Sequence, residues 1–351
     1  MKIFVSSLLA LASIMTMIAA NPIKCSGPNA RIEPPVGAIV VDPTGDPKYQ
    51  GSFRNMIDAV AGLDRTLEED QTIFVFSGVY EGRVVIPPIK GKLVLQGATC
   101  DATSYAKNQA TITHKMSQKN SPKTVTSDHD AETSAMHFKA NNVKVYNLNI
   151  ANTAGNAGQA VAATVDGTNY GFYGCKFTGY QDTLLTKKGL IMFANSYISG
   201  AVDFIFGTEA VAWFEHCDID CIDAGYITAN GRSSADMDSY YVFNHANIYS
   251  SKKGYKPGMS YLGRPWRPYA RVVFQNSELS DVVNAAGWSD WNGDSTEHVE
   301  FGEFKNTGPG AAKGNGRPGL GTQLKAAVAL KDFFKVDLKS QWWIDSAYVH
   351  V

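Results

Sequence analysis

A chain of 351 residues that sets 32 basic against 33 acidic side chains carries no net-charge bias towards nucleic acid or an anionic membrane. Its 32 glycines and 11% aromatic residues suit a turn-rich β protein, and long helical patterns are scarce.

Residues 1–20 carry Lys2, an apolar run from Ile3 to Ala20, and small residues before Asn21-Pro22. This pattern predicts a secretory signal peptide rather than a membrane span, because no stop-transfer pattern follows, and a mature domain over 21–351. Secretion permits disulfides among Cys25, Cys100, Cys175, Cys217 and Cys221; Cys25 with Cys100 is one open pairing. A short strand over Ile39 to Asp42 leads to a helix over Phe53 to Leu63, with Met56, Ile57 and Val60 on one face to plug an open end. Strands over Gln71 to Phe76 and Lys92 to Gln96 follow, separated by Gly78-Val79-Tyr80-Glu81. The polar stretch from Tyr105 to Ser134 reads as an excursion, in which Asp128-His129-Asp130 is a solvated charge cluster in preference to a metal site.

Six segments then share one six-residue pattern, apolar first, small or modest fourth, apolar sixth. They are Val145 to Ile150, Phe172 to Phe177, Phe193 to Ile198, Phe214 to Ile219, Phe243 to Ile248 and Phe274 to Leu279. Anchors Phe177, Ile198 and Ile219 recur every 21 residues, with outer spacings of 27 to 31. Such a period predicts a solenoid of stacked strands, best a parallel β-helix. Cys175 and Cys217 fall two coils apart, roughly 9.6 Å, beyond the roughly 7 Å that a disulfide spans between Cα atoms. Both therefore read as buried interior residues. His216 and His245, at the third position of the repeat, read as solvated or hydrogen-bonded strand residues. After the repeats come Gly287-Trp288-Ser289-Asp290-Trp291, a Gly/Pro-rich stretch from Thr307 to Gly321, a helix over Gln323 to Phe334, and Trp342-Trp343, placed to cover the other end. No linker divides the chain.

The chemistry concentrates in Gly179-Tyr180-Gln181-Asp182-Thr183-Leu184 and Val202-Asp203-Phe204-Ile205-Phe206-Gly207. Asp182 lies five residues after anchor Phe177 and Asp203 five after Ile198, so they stack on neighbouring coils, roughly 5 Å apart at the backbone. Two such carboxylates titrate as a coupled pair, one raised and one lowered. Arg264 is the best cation in the chain to fix which is which, with a purely structural ion pair as the equal alternative from spacing alone. Turn capping or calcium are the bland readings, but calcium needs more oxygen ligands than the apolar flanks supply. Neither a Gly-x-Ser-x-Gly elbow nor His-Glu-x-x-His is present.

These two motifs and Leu262-Gly263-Arg264-Pro265-Trp266 together resemble the pectin methylesterases, in the same order. Further matches are Asn152-Thr153-Ala154-Gly155, Gln159-Ala160-Val161-Ala162, Gly78-Val79-Tyr80-Glu81 and Asn306-Thr307-Gly308-Pro309-Gly310, so the resemblance covers roughly residues 38 to 311. It implies an all-β, right-handed, single-stranded parallel β-helix with short capping helices that hydrolyses the methyl esters of galacturonate in pectin. It also implies Asp203 as nucleophile, Asp182 as general acid and then base, Gln159 and Gln181 as oxyanion donors, and Arg264 as the group holding Asp203 ionised. Neither metal nor organic cofactor is implied. Tyr180, Phe206, Trp266, Trp288 and Thr153 are candidates for substrate contact. Leu185 stands where many relatives carry an aromatic residue, and the inhibitor-like N-terminal prodomain of many plant members has no counterpart, since few residues separate Ala20 from the first strand. Pectin is the implied partner, with neither nucleic acid nor membrane; a monomer is the default for a capped solenoid, and a proteinaceous inhibitor is left open. The rivals are a polygalacturonase, which lacks its Gly-His-Gly and Arg-x-Lys here, a pectate lyase, which lacks an acidic calcium cluster, and a non-catalytic solenoid, which the retained Asp182, Asp203 and Arg264 disfavour.

Overall fold

The computed structural model describes residues 25, 27–122, 128–314 and 316–350, and the expected signal peptide lies outside them. Every ladder from Ile39–Val41 to Gly321–Gln323 is parallel, and each coil contributes to three sheets in turn. The first sheet carries Val143–Tyr146, Tyr170–Tyr173, Glu209–Glu215, Tyr240–Asn244 and Arg271–Gln275. The second carries Leu148–Asn152, Lys176–Thr178, Asn247–Tyr249 and the first halves of Tyr197–Gly207 and Asp218–Asn230. The third carries Ala163–Asp166, the start of Leu184–Ala194, the second halves of Tyr197–Gly207 and Asp218–Asn230, and Ser260–Pro265. This is the right-handed parallel β-helix expected from the repeat and the resemblance.

The repeat works as a register device. Its first positions, Val145, Phe172, Phe193, Phe214, Phe243 and Phe274, pair in one column on the first sheet. The five phenyl rings stack with centroids 4.9, 4.8, 4.3 and 4.3 Å apart. Its sixth positions, Ile150, Phe177, Ile198, Ile219, Ile248 and Leu279, form a matching column on the second sheet. A fully buried side chain of this size contributes about 1.5–3 kcal/mol, so a slip by one residue, which turns every side chain to the other face, is strongly disfavoured. The third positions make the corner between the two sheets. Asn147, Gly174, Asn195, His216, His245 and Asn276 all have φ between 48° and 58°, the left-handed region that Gly and Asn tolerate best. His216 and His245 are therefore corner residues, not strand residues. Cys175, Cys217 and Cys221 are buried and free, and Cys25 is bonded to Cys100.

Four expectations are corrected. Gly78–Glu81 is itself a strand of the second sheet, because Tyr80 buries its ring beneath the coil. The stretch after Tyr105 does not simply leave the coil, since Ala110–His114 pairs with Leu148–Asn152 before the chain departs. The helix expected over Gln323 to Phe334 is reduced to Leu330–Phe333: Gly321–Gln323 extends the first sheet, and Val328 is held by both ends of the Gln275 amide. Trp343 is buried against the outer face of the first sheet with Tyr173, Trp213 and Phe334, so the C-terminal arm covers a side of the solenoid rather than its end. The N-terminal helix does cap the coil, trimmed to Met56–Ala61 by the Asn55 cap, with Met56 and Val60 buried in the core, while Ile57, expected on the same face, is exposed. Among the described residues, no helix is long and apolar enough to cross a membrane.

Candidate active site

The second corner, where each coil passes from the second sheet to the third, brings the acids together. Gln159 pairs with Gln181 and Gln181 with Val202 on successive coils, so Asp182 and Asp203 are next neighbours in the same register. The Asp182 N–H donates to the Val202 carbonyl at 3.0 Å. Both aspartates take positive φ, 62° and 50°, a conformation that Asp adopts more readily than most residues, and both are buried, 7% and 6% exposed.

Arg264 reaches Asp203 from the third sheet. In that sheet Thr164, Leu185, Phe206, Ala229 and Arg264 pair coil by coil in one column. The guanidinium grips Asp203 with two bonds, Nε to Oδ1 at 2.9 Å and Nη2 to Oδ2 at 2.6 Å. It is sandwiched between the rings of Tyr226 and Trp291, 4.0 and 4.1 Å from their centroids. The planar fork is thus fixed by its faces as well as its edge.

The two carboxyls therefore differ in kind. Asp182 is pushed well above the ordinary carboxylate range by burial first, then by Asp130 and Asp203, with Arg264 only partly opposing. The expectation of one carboxyl raised and one lowered is corrected: burial raises Asp203 as well, although the bidentate guanidinium opposes that rise directly. Asp203 is accordingly the one that ionises first, while Asp182 holds its proton to higher pH. The contribution of Asp130 is a correction. It sits in the short helix His129–Glu132, is raised by its own burial and bonded to the Gln118 amide, whereas Asp128 pairs with Lys187 at 2.6 Å. The supposed solvated cluster thus folds back over the site, and its neighbour Ala131 joins the apolar wall with Val161, Leu185, Phe206 and Ala229.

Of the remaining candidates, Gln159 and Gln181 are half-buried in register beside the acids, and Trp266 packs on that wall, its ring 6.1 Å from Phe206. Leu185 is part of the same wall, so the departure from an aromatic residue falls inside the site. Tyr180 precedes Gln181 at the corner and donates its hydroxyl to Asp223 at 3.1 Å. Thr153 is exposed, its N–H bonded to the His114 carbonyl at 2.8 Å. Trp288 is a correction: only 3% exposed, it stacks on Phe301 at 4.2 Å inside the coil and donates Nε1 to Glu303. Trp291, three residues on, stands at the site instead. Which of the two tryptophans faces inward depends on the pairing of Gly263 with Trp288, a long-range fact with no local sequence signal. Tyr226 and Asp130 were missed for the same reason.

The arrangement is one cation-held carboxyl beside a second, more strongly raised carboxyl that no guanidinium bonds, two amides in line, and an apolar and aromatic wall. The Pectinesterase family profile matches residues 39–330. A pectinesterase from Aspergillus aculeatus is 42% identical, covering 91% of this chain and 94% of its own length, and one from Aspergillus niger is 40% identical, covering 97% and 98%. Among solved structures, the pectin methylesterase from Aspergillus niger superposes with a TM-score of 0.81 at 34% identity, covering 91% of this chain and 100% of that one. The carrot pectin methylesterase does so with 0.72 at 27%, covering 84% and 90%. Motifs, coil, site and relatives agree, and the chain belongs to the pectinesterase family.

Proposed function

We propose that the chain is a secreted, single-domain carboxylic ester hydrolase over residues 21–351 that removes methyl groups from the galacturonate esters of pectin, releasing methanol, with Asp203 as nucleophile. The observation that carries the assignment is the asymmetry of the pair: Arg264 grips Asp203 and leaves Asp182 without a cation of its own.

An oxygen of ionised Asp203 attacks the ester carbonyl carbon, and the electron pair of the C=O bond moves to its oxygen. The amides of Gln159 and Gln181 donate to that oxyanion, a task for fixed neutral groups. The intermediate collapses, the bond to methoxide breaks, and methoxide takes the proton of Asp182 to leave as methanol. The acyl group is now joined to Asp203 as an anhydride. Asp182, now a carboxylate, takes a proton from water as the hydroxide attacks the acyl carbon. Cleavage of the anhydride returns Asp203 ionised and Asp182 protonated, and the galacturonate leaves as a free acid. The wall of Leu185, Phe206, Trp266 and Trp291 suits the apolar face of a sugar ring and limits water at the reacting centre.

The test is methanol release from highly methylated pectin, run beside an assay for reducing ends. Methanol without new reducing ends is the expected result. New reducing ends without methanol overturn the reading in favour of a backbone-cleaving glycosidase.

A further inference from the structure

The corner between the first and second sheets, remote in the cross-section from the corner that holds Asp182 and Asp203, carries a second chemical cluster. Coils at Asn147, Asn195 and Asn276 place asparagine at the left-handed position, yet two adjacent coils place His216 and His245 there. The backbone does not require an imidazole. The two rings stack, centroids 4.9 Å apart and 12° from parallel, with side chains 57% and 47% exposed, over the buried carboxylate of Glu215. Both face a cavity of about 310 Å³ that His350 and Tyr348 of the C-terminal arm also line.

The carboxylate is held as a metal ligand needs to be. Trp213 Nε1 donates to its Oε2 at 2.7 Å, and Asn244 Nδ2 donates to both oxygens at 2.9 and 3.1 Å. Asn244 is oriented in turn, since its Oδ1 accepts from Gln275 Nε2 and Asn276 Nδ2 at 3.0 and 2.9 Å. Asn244 Nδ2 also lies 2.9 Å from His245 Nδ1, so amide, imidazole and carboxylate form one polar cluster. His245 Nδ1 lies 3.0 Å from Glu215 Oε1, within hydrogen-bond reach in the tautomer that carries its proton on Nδ1.

Distances suit a small divalent ion. Bonds of about 2.0–2.1 Å to zinc put neighbouring donors about 3.3 Å apart in a tetrahedron. Glu215 Oε1 lies 3.0 Å from His245 Nδ1 and 3.4 Å from His216 Nε2, and all three donor atoms fall within 4.8 Å of one another. Among the described residues this is the one group of His, Cys, Asp and Glu so placed. Stacked rings do not converge on one point, so capture requires each half-exposed imidazole to turn about its Cβ–Cγ bond. The cavity leaves room for this and for water or His350 as fourth ligand.

We propose that Glu215, His216 and His245 bind a divalent transition-metal ion, Zn²⁺ as the representative, which staples two successive coils beneath the C-terminal arm. The ion has no part in ester hydrolysis. The test is calorimetric titration of the chelator-stripped protein with ZnCl₂, beside the variant His216→Asn/His245→Asn. Asparagine already serves this corner on three other coils, so the variant keeps the backbone, and its methanol release checks that it is folded. One ion per chain is expected, a higher melting temperature with Zn²⁺, and binding weakened at least about 100-fold in the variant, more than loss of an outer hydrogen-bonding partner costs. Substitution of Co²⁺ in the native protein is expected to give the strong visible bands of a tetrahedral site. No binding by the native protein, or equal binding by the folded variant, overturns the proposal; the histidines are then hydrogen-bonding neighbours of Glu215.

Discussion

Removing the guanidinium is the sharpest perturbation of the proposed nucleophile. Arg264→Met deletes both bonds to Asp203 and leaves a carboxylate that is 6% exposed beside a second acid. Stranding one member of a buried pair costs roughly 3–5 kcal/mol while the remaining group stays charged. The carboxyl escapes that cost by keeping its proton, so its folded-state pKa rises further above the unfolded value. A group raised in this way gives stability that is fully present below the unfolded pKa and lost as pH rises through the folded one. The destabilisation should therefore be small near about pH 4 and fully developed near neutrality. With an unfolding entropy of about 2.1 cal/mol/K per residue, 3–5 kcal/mol corresponds to a fall of roughly 4–7 °C in Tm for a chain of this size. Activity falls for the same reason, by about 100-fold or more, because a protonated Asp203 is not a nucleophile. The assays are thermal melts at the two pH values and methanol release across pH. A loss of Tm that does not change with pH, or a variant with near-native activity, would refute the reasoning.

Asp130 and Asp203 both hold the Asp182 proton in place, so Asp130→Asn should lower the Asp182 pKa. The alkaline limb of the methanol-release profile then moves to lower pH while the acid limb, set by Asp203, stays; an unmoved alkaline limb removes Asp130 from the account. Gln181→Ala should lower kcat by about 100- to 1,000-fold with a smaller change in KM, the mark of a donor that acts on the transition state. A change confined to KM would assign Gln181 to ground-state binding. The two tryptophans should separate cleanly. Trp288→Ala opens a cavity in the coil and costs roughly 3–5 kcal/mol of stability, whereas Trp291→Ala frees the Arg264 face and raises KM or lowers kcat at little cost in Tm. Reversed phenotypes would contradict their placement.

The fold was legible because the coil repeats one structural statement. Apolar residues at the first and sixth positions of each segment must stack on their counterparts, and the observed columns from Val145 to Phe274 and Ile150 to Leu279 follow that alignment residue for residue. The aspartates were legible for the same reason, since a fixed offset from an in-register anchor places both at one corner. What the sequence hid lies outside the repeat. Asp130 returns to the site on an excursion whose path is set by contacts such as Gln118 with Gln159, and Trp291 reaches Arg264 only because Trp288 is drawn inward against Phe301. The C-terminal arm defeats local reading too, because Val328 satisfies its backbone on the Gln275 side chain rather than in a helix. Short-range propensity is overridden wherever a long-range partner offers the better bond.

The central claim is that Asp203 forms the bond to the substrate acyl carbon, and Asp203→Asn tests it most directly. Asparagine keeps the size and one acceptor oxygen but removes the nucleophilic charge. Melting temperature serves as the check on folding, and methanol release from highly methylated pectin as the readout. The account predicts a folded protein whose methanol release falls by at least about 1,000-fold. A folded variant that still releases methanol at a rate near that of the native chain contradicts it.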